Sequence, residues 1–399
     1  MIFLQERNGV ASLTYVGDSA RVLKDGQVII DWTSGGSLAA IPIGDGYELQ
    51  VRSGSTTTST RLAVGEIILA LGQSNMVGWF QAPSTVPTTG AGAYVLQSGD
   101  WTAATGAGAL TFARVLSEGA GNAPVAFINA SAGGTALLQE FDTGLGYWLN
   151  TAANGLLATA VNLLKSVGGS AKFAIWIQGE AEGSTLKTGQ TATQSAYAAG
   201  FETLLQRLFS AVQVENVVVG GLGHLDNGQA PFIPQGWAAI VAAQQQVVAA
   251  HANMAFAATA FGLEQLDGGH YTGASRAWQA ADVATAALSL MGLQNLSFTN
   301  QVGTSAADTL ILSDMGVRLD AGNGDDVVFG GAGDDIIRGN FGSDLILGGL
   351  GRDILSGGYG NDTLYAGAGQ GELHGDAGND LLTNGDDGGL MAGGLGVDT

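Results

Sequence analysis

Gly348-Gly349-Leu350-Gly351-Arg352-Asp353-Ile354-Leu355-Ser356 runs without a break into Gly357-Gly358-Tyr359-Gly360-Asn361-Asp362-Thr363-Leu364-Tyr365. Both are copies of a nine-residue unit that keeps phase from Ala321 to Thr399. The sixth position is Asp326, Asp335, Asp344, Asp353, Asp362, Asp380 and Asp398, and it fails only at Gly371 and Gly389. The eighth is always apolar: Val328, Ile337, Ile346, Leu355, Leu364, Leu373, Leu382 and Met391. A fixed short period marks a solenoid in which each unit packs on its neighbours. Glycine permits tight turns with positive φ. The apolar residue turns inward to build a narrow core. The aspartate falls where turn carbonyls converge, a set of oxygens suited to a hard cation. A disordered Gly/Asp-rich tail would have no reason to keep an apolar residue in every ninth place. Stacked aspartates without a cation would repel one another.

The unit resembles the G-G-x-G-x-D-x-U-x nonapeptide of RTX proteins. That resemblance implies a parallel β-roll over 321–399 with structural calcium ions at its turns. Asp326, Asp335, Asp344, Asp353, Asp362 and Asp380 are the implied side-chain ligands. Residues 295–320 read as a linker and degenerate repeat, because Asp308 lies two periods before Asp326. Removing calcium is then expected to unfold the roll and leave the rest of the chain largely folded. RTX proteins leave bacteria by type I secretion, which implies a secreted or cell-surface bacterial location. Met1-Ile2-Phe3-Leu4-Gln5-Glu6-Arg7 lacks the basic-then-apolar pattern of a signal peptide. The sequence stops inside a repeat, at Gly396-Val397-Asp398-Thr399. A truncated chain and a different export route both fit that stop.

Charge follows the same division. The formal charge is −21, and 16 acids against 3 bases fall between Gly303 and Thr399. Most of the acidity therefore belongs to the repeats, which argues against nucleic acid or an anionic membrane as a direct partner. There is no cysteine, hence no disulfide or thiol chemistry. No stretch is long and apolar enough to span a membrane.

Residues 65–294 alternate apolar strands with amphipathic helices. The strand candidates are Glu66–Leu71, Val125–Ala130, Phe173–Gln178, Val217–Leu222 and Met254–Ala260. Helical stretches include Leu156–Val167, Ser195–Val212, Trp237–His251 and Ala274–Met291. Continuously apolar strands between helices predict a five-stranded parallel sheet in an α/β/α three-layer domain. Ligands of such sheets bind at the carboxyl ends of the strands. Those ends carry Gly72-Gln73-Ser74-Asn75-Met76, Ser131-Ala132-Gly133-Gly134-Thr135, Trp176-Ile177-Gln178-Gly179-Glu180 and Asp267-Gly268-Gly269-His270. A serine nucleophile needs an imidazole to take its proton, and the imidazole needs a carboxylate to orient it. One loop, Asp267 to His270, offers both. Glycines at 133 and 134 leave backbone N–H groups approachable, and Gln178 has a side-chain amide to aim at the same oxyanion.

These four blocks, in this order, resemble the SGNH hydrolase superfamily (flavodoxin-like fold), specifically its sialate O-acetylesterase-like carbohydrate esterases. The resemblance implies Ser74 as nucleophile, His270 as general base and Asp267 as its orienter. It implies an oxyanion hole from the Ser74 N–H, a Gly133 or Gly134 N–H, and Gln178. Ala181-Glu182 departs from the pattern, a small residue followed by Asp, often found there, leaving Glu180 and Glu182 as either substrate contacts or structural acceptors. Asn75, Glu180, Trp79 and Trp148 are candidate substrate contacts; Trp79, Phe80, Tyr147 and Trp148 read equally as sugar-stacking aromatics near the mouth or as ordinary packing. His224 follows a strand and reads as a bystander. Gly17-Asp18-Ser19-Ala20 echoes a nucleophile motif, but the other blocks count from Ser74.

Residues 1–64 show short alternating runs broken by turns such as Asp25-Gly26, which predicts a small β-sandwich accessory domain. It serves packing, or attachment to a carbohydrate, cell surface or particle. The expected function is a carbohydrate O-acetylesterase, a carboxylic ester hydrolase with no catalytic cofactor, acting on an acetylated polysaccharide or other glycan. Two readings stand beside it: a non-catalytic polysaccharide-binding or particle-attachment protein on an esterase fold, and a lipid esterase.

Overall fold

A computed structural model describes residues 1–80, 92–142, 144–183, 191–221, 235–259, 273–293, 299–312, 316–369, 371–385 and 388–399. The amino-terminal strands are β1 (Ile2–Gln5), β2 (Val10–Thr14), β3 (Ser19–Lys24), β4 (Gln27–Thr33), β5 (Ser37–Pro42), β6 (Gly44–Ser53) and β7 (Thr56–Gly72). β2 and β5 form an antiparallel pair of their own. Its Ala11, Leu38 and Ile41 pack on Ala20, Val22, Leu49 and Leu62 of the larger sheet.

β7 is the longest strand and does two jobs. Its first half, Thr-rich and exposed on its outer stretch, pairs with β6. Its second half is buried throughout and becomes the centre of the next sheet. Partners change near the expected 64/65 boundary, but the strand passes through it unbroken. At the pivot, a Cβ on Gly65 would stand 2.0 Å from the Pro124 carbonyl oxygen, so the crossing tolerates no side chain.

Five further strands, β8 (Ala93–Gln97), β10 (Val125–Asn129), β11 (Ser170–Ile177), β12 (Gln213–Gly221) and β13 (Met254–Thr259), run parallel to β7, and β9 (Asp100–Ala103) runs antiparallel at the edge. The order is β13-β12-β11-β7-β10-β8-β9. All five expected strands are present. The sheet is nevertheless a mixed one rather than a five-stranded parallel one, because β8 and β9 extend it. Successive residues of β7 alternate between faces. Ile67, Leu69 and Leu71 pack under α3 (Leu156–Ser166), α5 (Gln194–Ala211) and α6 (Gln235–Ala249), and Ile68 and Ala70 under α2 (Ala107–Gly119) and α7 (Gly273–Leu290). The chain leaves β7 for β8, β9 and β10 on one side and then crosses to β11 on the other. The ligand crevice of such a sheet opens at that reversal.

From Thr299 the chain coils. Strands Thr299–Val302, Val317–Asn323, Ile336–Phe341, Ile354–Tyr359, Gly371–Ala377 and Gly389–Leu395 make one parallel sheet, and Thr309–Ile311, Val327–Gly331, Leu345–Leu350, Thr363–Ala368 and Leu381–Thr383 the other. Each strand pairs with the one 18 residues on, for example Ile337↔Leu355 and Ile346↔Leu364. One nonapeptide therefore supplies one strand, and two make a coil. The eighth-position residues from Val328 to Leu382 form the core between the sheets, whereas Met391 on the last coil is exposed. Coiling begins before Ala321, since Thr299 already pairs with Val317 and Thr309 with Val327.

The roll is not a free tail. The outer face of its first sheet lies on α2 and α7. Ile336 and Ile354 are 3% and 2% exposed and join the apolar cluster of those helices. Arg318 is ion-paired with Asp282 of α7.

Candidate active site and cation-binding turns

Ser74 opens α1 (Ser74–Gly78), a single turn that starts as β7 ends. Gly72 makes the abrupt change possible. Its φ is +134°, and a Cβ there would stand 1.9 Å from the Ile177 carbonyl oxygen. The Gln73 N–H donates to that carbonyl at 3.0 Å, pinning Ser74 beside the end of β11. On the other side, the Ala132 N–H donates to the Gly72 carbonyl at 3.0 Å. This brings the loop after β10 against the serine: a Cβ on Gly133 would lie 3.8 Å from Ser74 Cβ. The loop is closed by the Thr135 hydroxyl, which donates to the Ala132 carbonyl at 2.7 Å and accepts Trp148 Nε1–H at 3.2 Å. Ser74, Gly133, Gly134 and the end of β11 therefore meet at the carboxyl ends of the central strands. Ser74 itself is half-buried.

Gln178 follows β11 and is fully buried. Its Oε1 accepts the Tyr197 hydroxyl at 2.8 Å, and its carbonyl accepts Gln244 Nε2–H at 2.7 Å. Its own Nε2–H donates to Glu182 of α4 (Glu180–Gly183) at 2.7 Å. Glu182 has no exposed surface and also accepts the Leu137 N–H at 2.5 Å and the Leu138 N–H at 3.1 Å. Burial pushes its carboxyl above the ordinary range, opposed by the donors Leu138, Gln178 and Leu137. Of the two roles left open by sequence, Glu182 takes the structural one.

Asp267, His270 and His224 lie outside the described residues, as does the side chain of Glu180. Asn75 is buried within α1. Trp79 and Trp148, expected at the mouth, are instead core residues with no exposed surface. Trp79 packs on Phe112 and donates Nε1–H to Gln279 at 3.2 Å. Trp148 stands edge-on to Trp176 at 5.3 Å. Each indole finds its hydrogen-bond partner inside, so neither ring is presented to a sugar. A cavity of about 450 Å³ lined by Arg7, Ser170, Gln213 and Asn253 sits at the opposite, amino-terminal ends of β11 and β12.

In the roll, each sixth-position aspartate uses Oδ1 to accept a backbone N–H one coil earlier. Asp344 accepts from Asp326 at 2.8 Å, Asp353 from Asp335 at 2.9 Å and Asp362 from Asp344 at 2.7 Å. The Oδ2 atoms of Asp326, Asp335, Asp344, Asp353, Asp362 and Asp380 are buried with no hydrogen-bond partner. One orphaned oxygen costs about 1–3 kcal/mol. Six at one repeated position fit a cation held between the turns. Among the described residues no three His, Cys, Asp or Glu side chains gather as a metal cluster. An ion here would complete its shell with turn carbonyls. The 18-residue coil sorts the aspartates by edge: Asp326, Asp344, Asp362, Asp380 and Asp398 line one, Asp335 and Asp353 the other. Gly371 and Gly389 both fall on the second edge, where the carboxylates stop.

Burial raises Asp335 and Asp353 to about 7 and Asp362 to about 8 in the metal-free roll. The folded form therefore holds protons more tightly than the unfolded chain. Its extra stability is fully present below the ordinary carboxylate range and is lost as pH rises through about 6 to 8. With a chelator present, circular dichroism melts should show a less stable roll at pH 8 than at pH 5. A chelated roll that gains stability over that interval would contradict this. Calcium displaces the protons, so its stabilisation should grow with pH.

Fold and site together define a three-layer α/β domain of esterase type joined to a parallel roll. Residues 91–289 match the carbohydrate esterase family described as sialic acid-specific acetylesterase. Residues 320–355, 347–382 and 356–389 match the RTX calcium-binding nonapeptide repeat. The chain thus carries a carbohydrate-esterase domain of that family followed by calcium-binding RTX repeats. The Ser74 block lies just ahead of the matched stretch. Among solved structures, a carbohydrate acetylesterase from Xanthomonas citri is similar at 20% identity over 76% of each chain, with a TM-score of 0.51, a likeness of fold. An Arabidopsis thaliana protein (17% identity, 56% of this chain and 98% of that one, TM-score 0.41) is more distant. So is a family 2 carbohydrate esterase with a carbohydrate-binding domain from Corynascus thermopiles (14%, 71% and 90%, 0.36). No curated protein matches in sequence. Among the described residues no helix is long and apolar enough to cross a membrane.

Proposed function

We propose that this protein is a secreted bacterial serine esterase of SGNH type that removes O-acetyl groups from a polysaccharide. The observation that carries this reading is Ser74 at the end of the central strand, between the Gly133–Gly134 loop and buried Gln178. Ser74 Oγ attacks the acetyl carbonyl while His270, oriented by Asp267, accepts its proton. The oxyanion is met by the Ser74 N–H, a Gly133 or Gly134 N–H, and Gln178 Nε2–H. The sugar hydroxyl leaves with the proton from His270. Water, deprotonated by the same imidazole, then releases acetate from the acyl-serine. The esterase family match supports an acetylated carbohydrate as substrate. Calcium is structural in this reading, held by the orphaned Oδ2 atoms of Asp326, Asp335, Asp344, Asp353, Asp362 and Asp380. Residues 1–64 serve as a β-sandwich accessory, and attachment to a surface through it or through the roll would hold the enzyme near its glycan.

The test is acetate release from a panel of acetylated polysaccharides and from simple acetyl and long-chain acyl esters. Release from acetylated glycans, with acetyl esters preferred over long acyl chains, is expected. No release from any acetyl ester would overturn the proposal, and a preference for long acyl chains would redirect it to lipids.

A further inference from the structure

One buried carboxylate touches both elements that flank Ser74. Oε2 of Glu182 accepts Gln178 Nε2–H, and Oε1 accepts the N–H groups of Leu137 and Leu138, which follow Gly133-Gly134-Thr135 after the single residue Ala136. We infer that Glu182 is the positioning residue of the oxyanion hole, setting the amide of Gln178 and the glycine loop in one register about Ser74. The inference rests on the esterase reading above.

A carboxylate only accepts, so the side of Gln178 that faces it must be the amide nitrogen. The Tyr197 hydroxyl at Oε1 secures the other end. The amide therefore cannot flip, and with one N–H on Glu182 the direction of the second is fixed. The backbone of Gln178 is held as well, by Gln244. On the far side of Ser74, Leu137 and Leu138 anchor the loop downstream, while the Ala132 N–H anchors it upstream on Gly72. Three N–H donors converge on this one buried carboxyl, at 2.5, 2.7 and 3.1 Å, and hold both of its oxygens. A glutamine at 182 has one accepting oxygen for two donor groups. Its own NH₂ must then oppose either Gln178 or the loop, and one of them turns away.

The experiment compares Glu182→Gln, Gln178→Ala and the double variant with wild type on a simple acetyl ester, calcium present. Loss of one oxyanion donor typically lowers kcat by about 10²–10³. Glu182→Gln is expected to lower kcat by that order with KM little changed. Gln178→Ala should do the same, and the double variant should be no worse than the poorer single one, since both remove one arrangement. A merely structural anchor would lower thermal stability and leave kcat per folded molecule intact, and that outcome overturns the inference. Where Glu182→Gln does not fold, Glu182→Asp carries the same readout, its shorter arm reaching one side of the site but not both. Loss of folding in both overturns the positioning role in favour of a fold anchor. Failure of the esterase reading is separable: it shows as no turnover by wild type, whereas failure here shows as an active wild type with an equally active Glu182→Gln.

Discussion

Replacing Ser74 with alanine is expected to lower acetate release by about 10⁶-fold, the scale set by removing a serine nucleophile that acts as one unit with its base. Ser74 is half-buried at the head of a one-turn helix. Its hydroxyl is not needed for the turn, because that turn is made by Gly72 and by the Gln73 N–H on Ile177. The variant should therefore melt within a degree or two of wild type, as a substitution costing under about 0.5 kcal/mol would. Folded, inactive protein is the expected pair of results. A variant that retains measurable fractions of wild-type turnover would remove Ser74 from the chemistry.

Chelating calcium is expected to destabilise the α/β domain as well as the roll. This departs from the independent tail expected from sequence. A calcium site held at about 1,000 times its dissociation constant contributes about 4 kcal/mol, and the orphaned Oδ2 atoms repeat over several coils. When the roll unfolds, α2 and α7 lose the cover of Ile336 and Ile354. Burying one such side chain is worth about 1.5–3 kcal/mol. All 7 tryptophans precede the roll, so their fluorescence reports on the rest of the chain. The tryptophan-detected transition should fall in temperature on chelation. Ile354→Asp should lower the same transition with calcium present while leaving the ladder of aspartates intact. A tryptophan transition indifferent to chelation would restore the picture of a tethered tail.

Sequence reveals those elements whose physics is local. The nonapeptide period announces the roll because each coil repeats the same turn and the same inward residue. The core strands announce themselves because strands buried on both faces must be apolar throughout, as Ile67 to Leu71 are. β7 is illegible as one strand for the same reason: its exposed threonines and its buried half obey different patterns, and the eye divides them. Ala93–Gln97 is short and lies near the sheet edge, so it carries too little pattern to register. Trp79 and Trp148 could not be placed from sequence, since an indole beside a motif reads alike whether it faces a ligand or the core. Ile336 and Ile354 occupy variable positions of the repeat, and only the docked structure gives them a partner. Glu182 was visible as a departure from the expected pattern. Its two-sided role needed the loop at Leu137 to be brought beside α4.

The most direct measurement is covalent labelling with a fluorophosphonate, followed by mass spectrometry of the peptides and assay of the residual turnover. One adduct per chain on the peptide containing Ser74, with turnover lost in proportion and no adduct in Ser74→Ala, is the expected result. An adduct on another residue, or full turnover by protein labelled at Ser74, would contradict the assignment of this chain as an esterase working through that serine.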